Sequence, residues 1–499
     1  MFDNLALGLS VALTPTNLLV GLVGAAVGTA IGVLPGLGPV ATISLLIPLT
    51  YYLEPTSAII MLSGIYLGAM YGGSITSILV NVPGEAASVV TCIDGHQMAK
   101  RGRAGAALGI SAFGSFFGGI TAALGLALFA PLVPQLAKNF GPPEYAMLVL
   151  AGMLLITQIG TRGRMQALLM VCVGLLLSTV GTDPISGDKR FNLGLDFLED
   201  GIGIIPLAIG LFGVAELLAL AANREATGTA IKTSLKLKDL LPNRGEWKRA
   251  IPAIFRGSIA GFFFGLLPGG GMTLVSFSAY ALEKKMSRHP KEFGHGAIEG
   301  VAGPETANNA GSQSAFAPML TLGLPSNATM GVLMGALMVH GVAVGPQLIV
   351  THPSVFWGVI ASMLVANVIL LILNVPLISI FVRLLQVPPS ILIPGIVLLV
   401  VVGAYTADNR FEDVMLTIAF GILGFWLRRK GVDPSPMVLA YVLGNIFERS
   451  FRQALILGDG PGVFLDRPVS LTLLLIAATL LIYPMVAPRI PFKRLRAAE

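Results

Sequence analysis

Long apolar runs, separated by short polar or glycine-proline punctuation, fill most of the chain. A bilayer core takes about 20 apolar residues per helix. Runs of that kind lie near 106–133, 144–160, 165–182, 202–222, 355–381, 390–404, 413–427 and 470–488. With further short or broken segments, the pattern predicts an all-α integral membrane protein of roughly 10–14 transmembrane or re-entrant helices. Residues 434–469 do not thread simply, because Ser435 to Leu457 suits a span, a re-entrant piece or an interfacial helix. The organisation read from these runs is a first membrane repeat with following spans over 1–222, a basic cytoplasmic linker over 223–256, and a second, inverted repeat with C-terminal spans over 257–499.

Composition sharpens this picture. Of 499 residues, 54% are hydrophobic and 12% charged, and the mean hydropathy is +0.81, which excludes a water-soluble enzyme. The net charge of +6 and pI near 9.3 arise from Lys and Arg in short loops, so they orient the chain in a membrane rather than bind nucleic acid. Basic clusters mark the cytoplasmic side: Lys100, Arg101 and Arg103; Arg162 and Arg164; Arg224 to Arg256; Lys284 to Lys291; Arg428 to Lys430; and Arg489 to Arg496. The C-terminus is therefore expected in the cytoplasm, and the loop with Asp183, Asp188, Asp196, Glu199 and Asp200 outside. The start Met1-Phe2-Asp3-Asn4 lacks a basic n-region, so the first apolar run is expected to remain. Cys92 and Cys172 have no CxxC or metal-ligand spacing and are expected to be buried bystanders.

An internal repeat is the most informative feature. Gly24, Gly28, Gly32, Leu34, Pro35, Gly36 and Gly38 recur as Gly257, Gly261, Gly265, Leu267, Pro268, Gly269 and Gly271, each pair 233 apart. Downstream, Gly73-Ser74 matches Gly311-Ser312 at an offset of 238, and Val82 to Ala86 matches Leu324 to Ala328 at 242. The growing offset implies insertion in the second copy, with Glu283 to His295 an obvious place. The distribution of Lys and Arg reverses between corresponding loops. This predicts inverted-topology repeats, whose substrate site lies at the repeat interface near the midplane.

In each copy a face with glycine every fourth residue ends at Leu-Pro-Gly, breaking the helix at membrane depth. Such backbone is tolerated where protein buries it or a watery cavity receives it, and the next helix offers free N–H groups suited to a carboxylate. Expected substrate-binding residues are Pro35, Gly36, Gly38, Asn81, Pro83, Gly84, Pro268, Gly269, Gly270, Gly271, Pro325, Ser326 and Asn327. Oxygen-bearing Ser74, Thr76, Ser77, Asn308, Asn309, Ser312 and Thr329 are expected cation ligands, sodium being the metal they suit, although Ser, Thr and Asn also glue helices together. Glu85 and Glu305 are intramembrane carboxylates that fit a proton relay, a cation ligand or a partner for a helix end. The five histidines, His96, His289, His295, His340 and His352, have no ligand spacing.

The glycine ladder into Leu34-Pro-Gly-Leu-Gly-Pro39, the run from Gly296 to Gly311 (GAIEGVAGPETANNAG) and Leu322-Gly-Leu-Pro-Ser326 together resemble the TctA family, the large membrane subunit of the tripartite tricarboxylate transporters. The resemblance covers most of the chain. It implies a multi-pass protein of the bacterial inner membrane, working with a small four-helix-type membrane subunit and a periplasmic solute-binding protein. It implies uptake of organic carboxylates such as citrate, driven by Na+ or H+, and no cofactor.

Competing classes lack their motifs. No HExxH, GxSxG, GxGD or GxxxxGK[ST] occurs, so neither an intramembrane enzyme nor a nucleotide-driven pump is expected. A passive anion channel, or an exporter of the same architecture, stays open as an alternative. For the symporter, helical-hairpin tips favour an elevator over a rocking bundle.

Overall fold

The computed structural model describes residues 2–34, 38–132, 140–159, 163–183, 185–222, 231, 236–267, 271–385 and 387–486. Among them the fold is α-helical apart from one short antiparallel pair, Gly181–Thr182 with Lys189–Arg190. Five helices are long and apolar enough to cross a bilayer: Pro15–Gly32, Pro55–Val80, Val89–Phe129, Ile204–Ala222 and Pro353–Asn374. Shorter apolar helices accompany them, and the chain is a multi-pass membrane protein.

The apolar runs at 390–404 and 413–427 fall within the helices Pro389–Asp408 and Phe411–Arg429, and Pro142–Ile159 covers the run at 144–160 up to residue 160, which lies outside the described residues. The run at 165–182 is shorter than its hydropathy suggested: its helix stops at Ser178, and Thr182 is already in the strand pair. Ser435–Leu457 forms one continuous helix, with Pro436 to Gly444 buried. Cys92 is half-buried and Cys172 exposed on a membrane helix, so the expectation of two buried thiols fails for Cys172. The second glycine-ladder helix starts at Arg244, inside the stretch read as linker. There Asn243 accepts from the Glu246 N–H at 2.9 Å while Glu246 Oε2 accepts from the Asn243 N–H at 2.7 Å.

Both copies use their glycines for the same contact. A Cβ at Gly24, Gly28 or Gly32 would lie 2.2–2.5 Å from the carbonyl oxygens of Met61, Ile65 and Ala69, on the helix Pro55–Val80. A Cβ at Gly257, Gly261 or Gly265 would lie 2.3–2.5 Å from those of Gly303, Ala307 and Gly311, on the helix Glu299–Ser314. The backbones touch, so only glycine fits. The contacted residues correspond as Met61 to Gly303, Ile65 to Ala307 and Ala69 to Gly311, every pair 242 apart. The left-handed caps Asn81 and Gly323 are also 242 apart. Packing thus pairs Gly311 with Ala69 rather than with Gly73, one helical turn from the dipeptide match. A single offset then runs from the core helix to the tip, so the insertion precedes that helix.

The loops of the two copies gather at two ends. At one end Arg103 pairs with Glu246 at 2.5 Å, while Asp94 Oδ1 accepts from the N–H groups of Gly294, Gly296 and Ala297 at 2.7–2.9 Å. Arg249 and Arg256 add pairs with Glu292, Glu299 and Glu283 there. At the other end Thr50 Oγ1 lies 3.1 Å from His340 Nε2. The loop after the break therefore packs beside His340 in the first copy and beside Asp94 and Arg249 in the second.

Candidate functional site

The two glycine helices end at Gly32 and Gly265, and new helices begin at Pro39 and Met272. Neither new helix has a side-chain cap; Pro39 has no N–H and the Leu274 N–H donates to the Gly271 carbonyl at 2.8 Å, which leaves the N–H groups of Val40, Ala41, Met272 and Thr273 for another partner. Residues 35–37 and 268–270, including the predicted Pro35, Gly36, Pro268, Gly269 and Gly270, lie outside the described residues. Their neighbours converge. One cavity of about 680 Å³ is lined by Gly38 to Ala41 and Pro83 to Ala87 from the first copy, and by Met272, Thr273 and Asn327 to Thr329 from the second. Gly271 itself has open space around its α-carbon.

The tips are built by their caps. Asn81 takes φ 61° to end the Pro55–Val80 helix and does not line the cavity. Its copy-two counterpart Gly323 does the same at φ 69°. Beyond the caps the chain enters the cavity wall, from Pro83 in one copy and from Asn327 in the other, so that Glu85 and Asn327 each lie four positions past their cap. Asn327 Oδ1 accepts from the Met330 N–H at 3.0 Å and starts the Ala328–Val339 helix. Its Nδ2 is buried and makes no well-formed hydrogen bond, nor do the hydroxyls of Ser326 and Tyr66, the last lying close to the side chains of Ser312 and Asn327. Pro325 packs beside this tip without lining the cavity. Tyr66 also lines the cavity, within electrostatic reach of Ser312, Asn327 and Glu85. An unpaired buried donor costs free energy, so such groups are sites for a polar ligand.

The predicted cation set divides. Glu305, 1% exposed, accepts from Ser74 Oγ at 2.6 Å, from Ser111 Oγ at 3.2 Å and from Thr91 Oγ1. No salt bridge reaches it among the described residues. Asn309 Nδ2 donates to Ser115 Oγ at 2.7 Å and to the Glu305 carbonyl at 3.2 Å, leaving its Oδ1 unpaired. Asn308 Nδ2 donates to Glu85 Oε1 at 2.8 Å, linking the second core helix to the first tip. The hydroxyls of Thr76, Ser77 and Ser312 donate to the carbonyls of Val33, Gly73 and Asn308, so these three fasten backbone. Thr329 lines the cavity rather than the Glu305 cluster. Every residue from Glu299 to Ser314 is buried, so this polar helix is held by protein on all sides.

Sequence reasoning missed Tyr66, Thr91, Ser111, Ser115 and the cavity's far wall. That wall contains Gln166, Phe212, Glu216, Arg428 and Asp433. Glu216 and Arg428 form an ion pair. The cluster Arg428 to Lys430 was legible only as a marker of sidedness, because nothing in a single sequence separates a cavity arginine from a loop arginine.

Outside the spans, the Ile185 N–H and the Arg452 guanidinium hold the Asp183 carboxyl below the usual carboxylate range. Arg190 and Arg452 bridge this loop to Glu448 on the Ser435–Leu457 helix.

The family model described as "Tripartite tricarboxylate transporter TctA family" matches residues 18–439. The chain is 44% identical over 495 residues to an uncharacterized 52.8 kDa protein in the TAR-I ttuC' 3'region of Agrobacterium vitis, covering 99% of this chain and 98% of that one. It is 46% identical over 215 residues to an uncharacterized protein in the TAR-II ttuC' 3'region of the same organism, covering 43% of this chain and 89% of the other. No solved structure matches the chain.

Proposed function

Since the chain belongs to the tripartite tricarboxylate transporter TctA family and is its large membrane subunit, we propose that it imports organic carboxylates of the citrate class by cation symport. The observation that carries this reading is the meeting of four repeat-derived elements, Gly38–Ala41, Pro83–Ala87, Met272–Thr273 and Asn327–Thr329, around one cavity. The uncapped N–H groups after Gly38 and Gly271 and the unpaired Asn327 Nδ2 and Tyr66 hydroxyl are donors, and a carboxylate is an acceptor.

The coupling cation is assigned to the Glu305 cluster. A carboxylate among neutral hydroxyls, with no basic partner, has its charge balanced by a bound proton or by Na+. Glu85 serves as the link between this cluster and the cavity, through Asn308.

Two inverted repeats supply the alternating access. The opposite placement of corresponding loops, at the His340 end and at the Arg103 end, supports the inversion. That the cavity reaches Gly163, Gln166 and Arg428, beside the basic clusters read as cytoplasmic, supports an inward-facing reading of this conformation. A periplasmic binding protein and a small membrane subunit complete the complex in the bacterial inner membrane, with the C-terminus cytoplasmic.

The test is radiolabelled citrate uptake into proteoliposomes holding this chain, its small subunit and the cognate binding protein. An inward Na+ gradient or pH gradient should drive accumulation. Equilibration without accumulation under both gradients would replace the symporter by a channel.

A further inference from the structure

Arg428 is the only Lys, Arg or His among the described residues that lines the cavity. Three carboxylates share the lining: Glu85, Glu216 and Asp433. Glu85 is held by the Asn308 amide, and Asp433 Oδ1 by the Ser435 N–H at 2.9 Å and hydroxyl at 2.6 Å. Glu216 takes the arginine, through Nη1.

Local structure fixes both members of this pair. Arg428 sits in the last turn of Phe411–Arg429, which closes with Gly431 at φ 74° and with the Val432 N–H donating back to the Leu427 carbonyl at 2.9 Å. Glu216 follows a π-helical turn, Ile209–Val214, a distortion that recurs at functional sites. The two helices meet through glycine: a Cβ at Gly424 would lie 2.7 Å from the Leu211 carbonyl, and one at Gly421 would lie 2.3 Å from Val214 Cγ1. The side chains keep 35% and 16% exposure, so the pair faces the cavity instead of being sealed between helices.

We propose that Arg428 is the cationic recognition residue for a substrate carboxylate, and that Glu216 is the internal carboxylate it exchanges for that of the substrate. This inference rests on the carboxylate reading above. A di- or tricarboxylate entering this space meets three acidic side chains and a single guanidinium. Recognition by charge therefore requires Arg428 to change partner: one charge-assisted hydrogen bond replaces another, and the freed Glu216 carboxylate, left without its cation, is the cost that substrate binding must exceed. The fork geometry of arginine suits the exchange, and Glu216, sharing the cavity lining with the repeat-derived tips, sets the affinity a substrate must exceed.

The experiment is equilibrium binding of radiolabelled citrate to the purified full-length chain with its small subunit, in parallel with uptake by the complete system. Glu216→Gln should tighten citrate binding several-fold, and Arg428→Gln should weaken it about tenfold or more, with melting temperatures near wild type. The charge swap Glu216→Arg with Arg428→Glu should not restore binding, because the cation would then sit on the other helix. A swap that restores wild-type binding would show a tie between helices and overturn the proposal, as would wild-type affinity in Arg428→Gln. Should Arg428→Gln fail to purify, Arg428→Lys, with its charge kept and its fork lost, carries the decision. Intermediate affinity supports the proposal, and unchanged affinity overturns it. Absence of carboxylate binding and uptake in the wild type would instead remove the carboxylate reading itself, and this inference with it.

Discussion

Glu305 and Asn327 carry different parts of the proposed cycle, and single substitutions separate them. Glu305→Gln keeps the shape and the hydroxyl contacts of Ser74, Thr91 and Ser111 but removes the charge. Accumulation of citrate under a cation gradient should fall to background, while thermal stability stays near wild type. Normal gradient-driven accumulation in that variant would move the coupling site elsewhere. Asn327→Asp is sharper than an alanine. The aspartate still accepts from the Met330 N–H, so the helix keeps its cap, but the unpaired donor becomes an acceptor that repels a carboxylate. Citrate binding should weaken by about tenfold or more, and binding at wild-type strength would take Asn327 out of the site. The residues named from sequence were those on the repeated breaks and tips and on the polar stretches that lead into the tips, from Ser74 in one copy and Glu305 in the other. Tyr66, Thr91 and Ser111 escaped because none lies in a repeated motif, and a lone hydroxyl on an apolar helix reads as packing until its neighbours are known.

Helix pairs set the distances that those residues need. Gly261 lies against the Ala307 carbonyl, where a Cβ would come within 2.3 Å. Gly261→Ala should therefore push the two helices apart and destabilise the protein by about 1–3 kcal/mol, read as a lowered melting temperature in detergent. A melting temperature at or above wild type would mean that the ladder contact is loose. The loop on Asp183 gives a contrasting case. Its carboxyl is held low by the Ile185 N–H and by Arg452, so the ionised form is the one the fold stabilises. Its contribution is fully present above the ordinary aspartate value of about 3.9 and is lost as pH falls through the lower folded-state value. Asp183→Asn should thus lower the melting temperature by a constant amount between about pH 5 and 8, the penalty shrinking only in stronger acid. A penalty that varied across that neutral window would sink this account. At this scale the glycine ladders, the breaks and most helices were legible from period and punctuation. The alignment of the core helices was not, because the Gly-Ser dipeptides at 73 and 311 coincide by composition, whereas backbone contact selects Ala69.

At the scale of the whole molecule, the proposed inversion would set like loops of the two copies on opposite sides of the membrane. In a cysteine-free background, a single cysteine at Tyr52, 93% exposed beside the His340 end, should react with an impermeant maleimide from outside intact cells. One at Lys284, near the Arg256–Glu283 pair, should react only after permeabilisation. Labelling of both from the same side would refute the inversion. The reversal of basic residues between corresponding loops is the sequence signal for this proposed arrangement. The far wall of the cavity was not, because it comes from segments outside the repeat, whose single arginine carries no pattern.

The offset of 242 that relates the core helices also relates Glu305 to Ser63 and Asn308 to Tyr66. A carboxylate in one copy therefore corresponds to a hydroxyl at the matching place in the other, and an amide to a phenol. The two halves share a scaffold of glycine contacts but not the polar groups mounted on it, so exchanging the halves is not a symmetry of the machine.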